Sequence, residues 1–209
     1  DLWGFQAGEP GRRRVPPDKA RIVALVKAGP RMDDIQIDDI QLQGGNPSVK
    51  LDFGSIGKGF AIDQAVDQLR ELGIHNAIVN VGGDLRAIGT RGGQPWPVAL
   101  RNPVGGGVLA ILQVSGDESV FTSGDYKLNF THKGKTYHHV IDPRTGWPAE
   151  GARLVTLIHE DATRAEAAAT ALMIAGPELW HQTAVAMGVR SVLLIDPRGR
   201  IYMDPSMAE

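Results

Sequence analysis

Most of this chain reads as short strands that follow one another through glycine turns, with few helical stretches between them, and that order limits the fold more than any other feature. A doubly wound parallel sheet needs strict strand–helix alternation, because parallel neighbours must be joined by a crossover. Here residues 96–120 read as strand, Gly105-Gly106-Gly107 loop and strand, and residues 191–203 read as a terminal hairpin around Asp196-Pro197-Arg198-Gly199. The class implied is α+β. The patterns predict helices over 17–28, stopped by Gly29-Pro30, and over 59–72, with Phe60, Ala61, Val66, Leu69 and Leu72 as its face and Gly73 as its stop. Two more are predicted over 162–174 and 177–187. Strands are expected over 33–42 (two short ones or one with a bulge), 49–53, 77–81 as a buried strand, and 154–158, with a turn at Asn46-Pro47 and a loop over 122–126. Residues 49–81 and 154–195 suggest two related halves, but their residues do not repeat, and no linker marks two independent domains.

At 209 residues the chain can bury a substantial core. Its net charge of −2 provides no broad basic field for nucleic acid, and Arg12-Arg13-Arg14 within a Gly/Pro-rich stretch reads as a solvated loop. Cysteine is absent, which excludes disulfides, thiolate nucleophiles and sulfur-ligated metals, and leaves the redox compartment undecided. No apolar run approaches the length of a membrane span, and Asp1-Leu2-Trp3-Gly4-Phe5 is not a signal peptide. Trp3 and Phe5 so close to the start look like core residues separated from an earlier segment, so the native protein is expected to begin further upstream.

Polar chemistry concentrates in His138-His139-Val140-Ile141-Asp142-Pro143-Arg144-Thr145-Gly146, a strand running into a turn that carries a base, an acid, a guanidinium and a hydroxyl. A strand with two exposed histidines and a turn tied by an Asp side chain is the plainer account. Gly54-Ser55-Ile56-Gly57-Lys58-Gly59 sits between a predicted strand and helix, where backbone N–H groups can cradle a phosphate and Lys58 adds charge. It does not match the nucleotide phosphate-loop spacing, so a glycine turn and a phosphate cradle both remain open, with Asp52 placed to receive a ligand hydroxyl or amine. Gly82-Gly83-Asp84-Leu85-Arg86 is a second turn, in which Asp84 and Arg86 are expected to form a weak surface pair.

Glu166 and Thr170 stand four apart on one helix face. A carboxylate and a hydroxyl are hard oxygen ligands suited to Mg²⁺, although an ordinary helix, with Glu in its first turn and Thr bonding back to a carbonyl, accounts for them equally simply. Zinc is disfavoured: adjacent His138 and His139 on a strand point to opposite faces, and no paired-histidine helix motif is present.

Read together, the segments beginning at Leu51-Asp52-Phe53-Gly54-Ser55, Val79-Asn80-Val81-Gly82-Gly83-Asp84, Thr122-Ser123-Gly124-Asp125-Tyr126, Tyr137-His138-His139-Val140-Ile141-Asp142-Pro143 and Ala169-Thr170-Ala171-Leu172 resemble the ApbE-type FAD:protein FMN transferase family, in its order and over essentially the whole chain. The resemblance implies two intimately packed ββααββ-like subdomains. It also implies transfer of FMN from FAD to a Thr or Ser hydroxyl of an acceptor flavoprotein, with release of AMP. By the same resemblance Asp52, Lys58 and the Val140 backbone contact FAD, the Ser55 carbonyl, Glu166 and Thr170 hold Mg²⁺, and His139 is the base for the acceptor hydroxyl. Members are usually exported to the bacterial periplasm, many tethered to the inner membrane through a lipidated cysteine, for which this chain has no residue.

Two departures from the family pattern stand out. Glu166 occupies a position where the family has Asp, which carries the carboxylate about 1.3 Å further out. The family's N-terminal methionine, tyrosine and Gly-Pro-Leu stretch is also missing here. Hydrolysis of FAD to FMN and AMP, and flavin binding without catalysis, are the alternatives to transfer.

Overall fold

A computed structural model describes residues 2–5, 15–103 and 105–207; the Arg12-Arg13-Arg14 cluster lies outside the described residues. The chain forms two compact units with interleaved sequence. One comprises the described residues up to Asp52 together with Leu128–Ala149, and the other comprises Phe53–Lys127 with the described residues from Glu150 onward.

The first unit contains helix α1 (Lys19–Ala28), hairpin β1 (Ile35–Asp38)–β2 (Gln41–Gly44) and the later hairpin β8 (Asn129–His132)–β9 (Lys135–His138). Asp18 caps α1 by accepting from Ala20 N at 2.9 Å, and Gly29, in the left-handed region with φ 54°, ends it, as the sequence predicts. The core is aromatic: Trp3, Tyr137 and Ile22 are buried and packed by Phe5, Phe130, Val26, Ile141 and Trp147. Trp3 is therefore a core residue, and its indole N–H donates to Gly146 O at 2.9 Å. The expected pair of short strands over 33–42 is a hairpin, but Ile37 and Leu42, cross-strand partners in it, are both exposed.

The second unit is built on a fully antiparallel six-stranded sheet in the order β12 (Ile201–Met203), β11 (Ser191–Ile195), β10 (Leu154–His159), β7 (Gly116–Gly124), β4 (Asp84–Gly89), β3 (Ala77–Val81). Helices α2 (Gly57–Glu71) and α3 (Ala162–Ala186) pack on it and on each other. Hairpin β5 (Trp96–Arg101)–β6 (Val108–Val114) adds Val98, Leu100 and Val114 to an apolar cluster with Leu85, Ala87 and Val120. Strand alternation sends Leu85 and Ala87 of β4 into that cluster and Asp84 and Arg86 to the opposite face, where α2 lies. This is the α+β architecture expected from the hairpin-rich order. Among the described residues no helix is long and apolar enough to cross a membrane.

Several local expectations are corrected. Residues 49–53 form no strand: alternation at Val49, Leu51 and Phe53 suits one, but among the described residues the segment joins none of the sheets, and the boundary between the two units falls within it. Strand β3 is a half-exposed edge, not a buried strand, because only β4 flanks it. In α2 the buried stripe is Gly59, Ile62 and Val66, while Phe60 and Leu72 face solvent. Residues 122–124 continue β7 and do not loop, because Thr122 pairs directly with Thr156 of β10. The two helices expected over 162–174 and 177–187 are, by contrast, present: they run end to end within α3 and are separated at Gly176, where φ 65°, ψ −174° and the following Pro177 break the helix.

Candidate active site

The N-terminus of α2 has no cap of its own. Ile56 stands at the capping position and has no side-chain acceptor. Its first amides therefore need partners from elsewhere. Glu166, buried on α3, supplies one: its Oε2 accepts from Gly59 N at 2.7 Å. The reverse also holds. Asp63, one turn along α2 from Gly59, accepts from Ala162 N at 3.0 Å, Thr163 N at 2.9 Å and Thr163 Oγ1 at 2.7 Å, covering the first amides of α3. Each helix thus carries the carboxylate that caps the other. The approach is close because residue 59 is glycine: a Cβ there would lie 2.6 Å from both the Ala162 carbonyl carbon and Thr163 Cα.

Lys58 projects from this junction. Its ammonium is paired with Asp84 and lies 2.9 Å from Glu166 Oε1. Asp84 is buried where β4 begins, after a two-residue turn with φ 64° at Gly82 and 97° at Gly83, the type I′ geometry that suits a tight hairpin. Asp84 Oδ1 also accepts Thr122 N at 2.9 Å. Burial pulls the Lys58 pKa down, but the bonds to Asp84 and Glu166 outweigh it and the net shift is upward, so Lys58 is a firmly charged ammonium. Lys127 approaches the same carboxylate, 3.7 Å from Asp84 Oδ1, and donates to Thr122 O at 2.6 Å.

An ion chain centred on buried Arg86 braces this arrangement. Arg86 bonds Asp63 at 2.5 Å and Asp117 at 2.7 and 2.9 Å, and Arg70 closes on Asp117 from outside. Burial raises the Asp63 pKa, yet the bonds from Thr163, Ala162 and Arg86 more than offset it and hold the carboxyl below its ordinary value. Asp84 and Arg86 are therefore not a surface pair: each is buried with its own partners.

Of the residues expected in a site, the second unit brings together Lys58, Glu166 and Thr170. Thr170, half-buried, lies one turn along α3 and donates to Glu166 O at 3.3 Å. Ser55 is exposed in the turn just ahead of α2. These residues fit a hard divalent cation. Two buried carboxylates, Asp84 and Glu166, already hold one cation between them, and Thr170 Oγ1 spends its proton on a carbonyl and keeps its lone pairs. Among the described residues no cluster of three His, Asp or Glu side chains forms, so an ion here would depend on hydroxyl and carbonyl oxygens beside Glu166.

Asp52, His139 and Val140 belong to the first unit, with Asp52 exposed at its end. His138, the last residue of β9, is buried like its neighbour Tyr137, whereas His139, just beyond the strand, is exposed, so the expectation of two exposed histidines is corrected. His138 Nε2–H donates to Ala149 O at 2.7 Å. The backbone N–H of His139 donates to Leu128 O at 3.0 Å, and its Nδ1 lies 3.2 Å from the same oxygen. Assigning the ring proton to Nδ1 on this contact puts the basic lone pair on Nε2. Val140 O accepts Ala149 N at 2.9 Å. The turn beyond is tied by Asp142, which accepts from Arg144 N at 2.9 Å and from its guanidinium, the Arg144 bonds keeping its carboxyl below the ordinary value.

Asp63 and Lys127 have no role expected from the sequence, and Asp84 and Arg86 only that of a surface pair. Asp63 carried a signal nonetheless: it falls four residues after Gly59, a charged residue on the buried side of the helix.

The model of the ApbE family matches residues 1–193. The chain is 38% identical over 211 residues to the FAD:protein FMN transferase of Rhodobacter capsulatus, covering 99% of this chain and 39% of that protein. It is 32% identical to the FAD:protein FMN transferase of Haemophilus influenzae, covering 93% and 58% respectively. The chain thus spans about two-fifths to three-fifths of these curated relatives. Among solved structures it matches the ApbE protein of Thermotoga maritima with TM-score 0.86 and 33% identity, covering 99% of this chain and 67% of that one. It also matches the apo form of the flavinyl transferase ApbE of Pseudomonas stutzeri with TM-score 0.79 and 31% identity, covering 99% and 64%.

Proposed function

The chain belongs to the ApbE family, and from that premise we propose that it is a Mg²⁺-dependent FAD:protein FMN transferase acting on a Thr or Ser hydroxyl of an acceptor flavoprotein. The observation that carries this reading is the convergence of Lys58 on two buried carboxylates at the α2 N-terminus, in a chain similar along nearly its full length to named transferases. Lys58, held at the helix start by these carboxylates, offers a fixed ammonium donor to the phosphates of FAD.

In the proposed reaction the acceptor oxygen bonds to the phosphorus of the FMN half, the pyrophosphate P–O bond breaks, and AMP departs with the bridging oxygen. His139 takes the hydroxyl proton on Nε2; a histidine needs little tuning to act as a base near neutrality. Lys58 binds and orients the pyrophosphate, with Asp52 and the Val140 backbone as further FAD contacts. Glu166, Thr170 and the Ser55 carbonyl would hold Mg²⁺, which when bound supplies charge neutralisation to the phosphate oxygens. Glu166 also reaches across to α2 through its bond from Gly59 N. Resemblance further supports export to the periplasm, with membrane contact only through a lipid anchor outside this chain.

The test is to incubate the full-length protein with FAD, Mg²⁺ and a flavin-acceptor domain and to measure AMP release together with the acceptor's mass. A mass gain equal to FMN is expected. AMP without that gain would mean hydrolysis, and binding of FAD with neither product would mean a flavin-binding protein.

A further inference from the structure

We propose that Lys127 is a second pyrophosphate-contacting residue of this site, acting beside Lys58 and poised over Asp84; the proposal rests on the flavin-transfer reading above. Asp84 is already provided for. Its Oδ2 takes Lys58 and its Oδ1 takes Thr122 N, whereas the Lys127 ammonium stands 3.7 Å away, beyond hydrogen-bond distance. Lys127 is held in place by a hydrogen bond to a neutral acceptor, Thr122 O, at 2.6 Å.

The two lysines differ in how their surroundings treat their charge. Lys58 is raised by direct bonds to two carboxylates, as described. Lys127 is lowered: burial pulls it down, Asp84 opposes, and the neighbouring Lys58 adds to the lowering. A surface-accessible ammonium beside Asp84 and Lys58, with donor capacity left over, gains from an arriving anion.

Charge balance leads to the same place. Asp84 and Glu166 are cancelled by Lys58 and Lys127. A divalent cation held by Glu166 would leave a surplus of two positive charges, which a pyrophosphate diester, with one negative charge on each phosphorus, returns to neutrality. Without Lys127 the sum falls one charge short.

Two effects of opposite sign follow from removing this charge, which a merely structural residue would not produce. In Lys127→Gln, FAD and inorganic pyrophosphate should each bind about 10- to 100-fold more weakly. Riboflavin, which lacks phosphate, should be unaffected, and Mn²⁺, followed by electron paramagnetic resonance, should bind more tightly because a repelling neighbour is gone. Lys127→Arg, which keeps the charge, should retain most of the FAD affinity and controls for folding. Unchanged FAD and pyrophosphate binding in Lys127→Gln would overturn the proposal, as would equal losses in Lys127→Gln and Lys127→Arg. Wild-type protein that takes pyrophosphate through Lys127 but not FAD would support this role of Lys127 while overturning the flavin reading.

Discussion

Replacing Gly59 by Ala tests whether the close approach of α2 and α3 governs the site. Ordinary van der Waals contact begins near 3.4 Å, and the new Cβ would sit 2.6 Å from Ala162 C and Thr163 Cα and nearer still to Ala162 O, so the helices must part by at least about 0.8 Å. The neighbours are backbone atoms and cannot rotate away. Parting by that amount stretches the 2.7 Å bond between Gly59 N and Glu166 Oε2 to the edge of hydrogen bonding. Overpacking costs about 1–3 kcal/mol, and weakening a bond to a buried carboxylate about 1.5–3. The better helix propensity of Ala returns about 1 kcal/mol. A net loss of about 1.5–5 kcal/mol is therefore expected. Gly57, two residues earlier, has nothing within 4 Å of its own hypothetical Cβ, so Gly57→Ala should be neutral or stabilise by up to about 1 kcal/mol. Urea unfolding of both variants, compared through the shift in midpoint at constant slope, reads the difference. If Gly59→Ala fell within about 0.5 kcal/mol of wild type, or Gly57→Ala were equally destabilised, the argument from helix approach would be wrong.

Asp63, held below its ordinary pKa in the folded state, contributes stability that is fully present above the unfolded value near pH ~3.9 and is lost as pH falls through the folded one. Asp63→Asn should lower stability at pH 7 and flatten the decline below pH ~4, as measured by thermal melts across pH; an unchanged acid limb would refute it. Glu166→Gln keeps an acceptor for Gly59 N but removes the charge. It should weaken Mn²⁺ binding at least about tenfold, with a smaller stability loss than Gly59→Ala, and undiminished metal affinity would remove Glu166 from the ligand set. His139→Ala should reduce flavin transfer by about 10²–10⁴-fold while FAD binding persists, measured by acceptor mass and flavin fluorescence; transfer at the wild-type rate would eliminate it as the base.

What the sequence disclosed follows the range of the forces involved. Local signals are legible: Gly29 and Gly73 end their helices where a left-handed residue is needed, whereas consecutive burial of Tyr137 and His138 at the end of β9 breaks the period-two pattern that the sequence suggests. The alternating residues 49–53 carried strand composition without a neighbouring backbone to pair with, and composition does not reveal whether a neighbour exists. Lys58 announced itself as a cation among glycines, but Asp84 could not be read as its partner, since the two are 26 residues apart and meet only once β4 has joined the sheet. Thr170 shows how two readings can coexist: it bonds back to a carbonyl, as an ordinary helical Thr does, and stands beside Glu166 all the same.

The reciprocal carboxylate caps bear on how this protein breathes. A helix ordinarily frays from its own end, at little expense to the rest of the molecule. Here unwinding the start of α2 withdraws Asp63 and Lys58 from their partners, and unwinding the start of α3 withdraws Glu166 from Gly59. Neither end can open alone without uncovering the other. The amide protons of Gly59, Ala162 and Thr163 should therefore exchange with solvent at one shared, slow rate, and the site would keep its shape between encounters with ligand instead of assembling anew at each one.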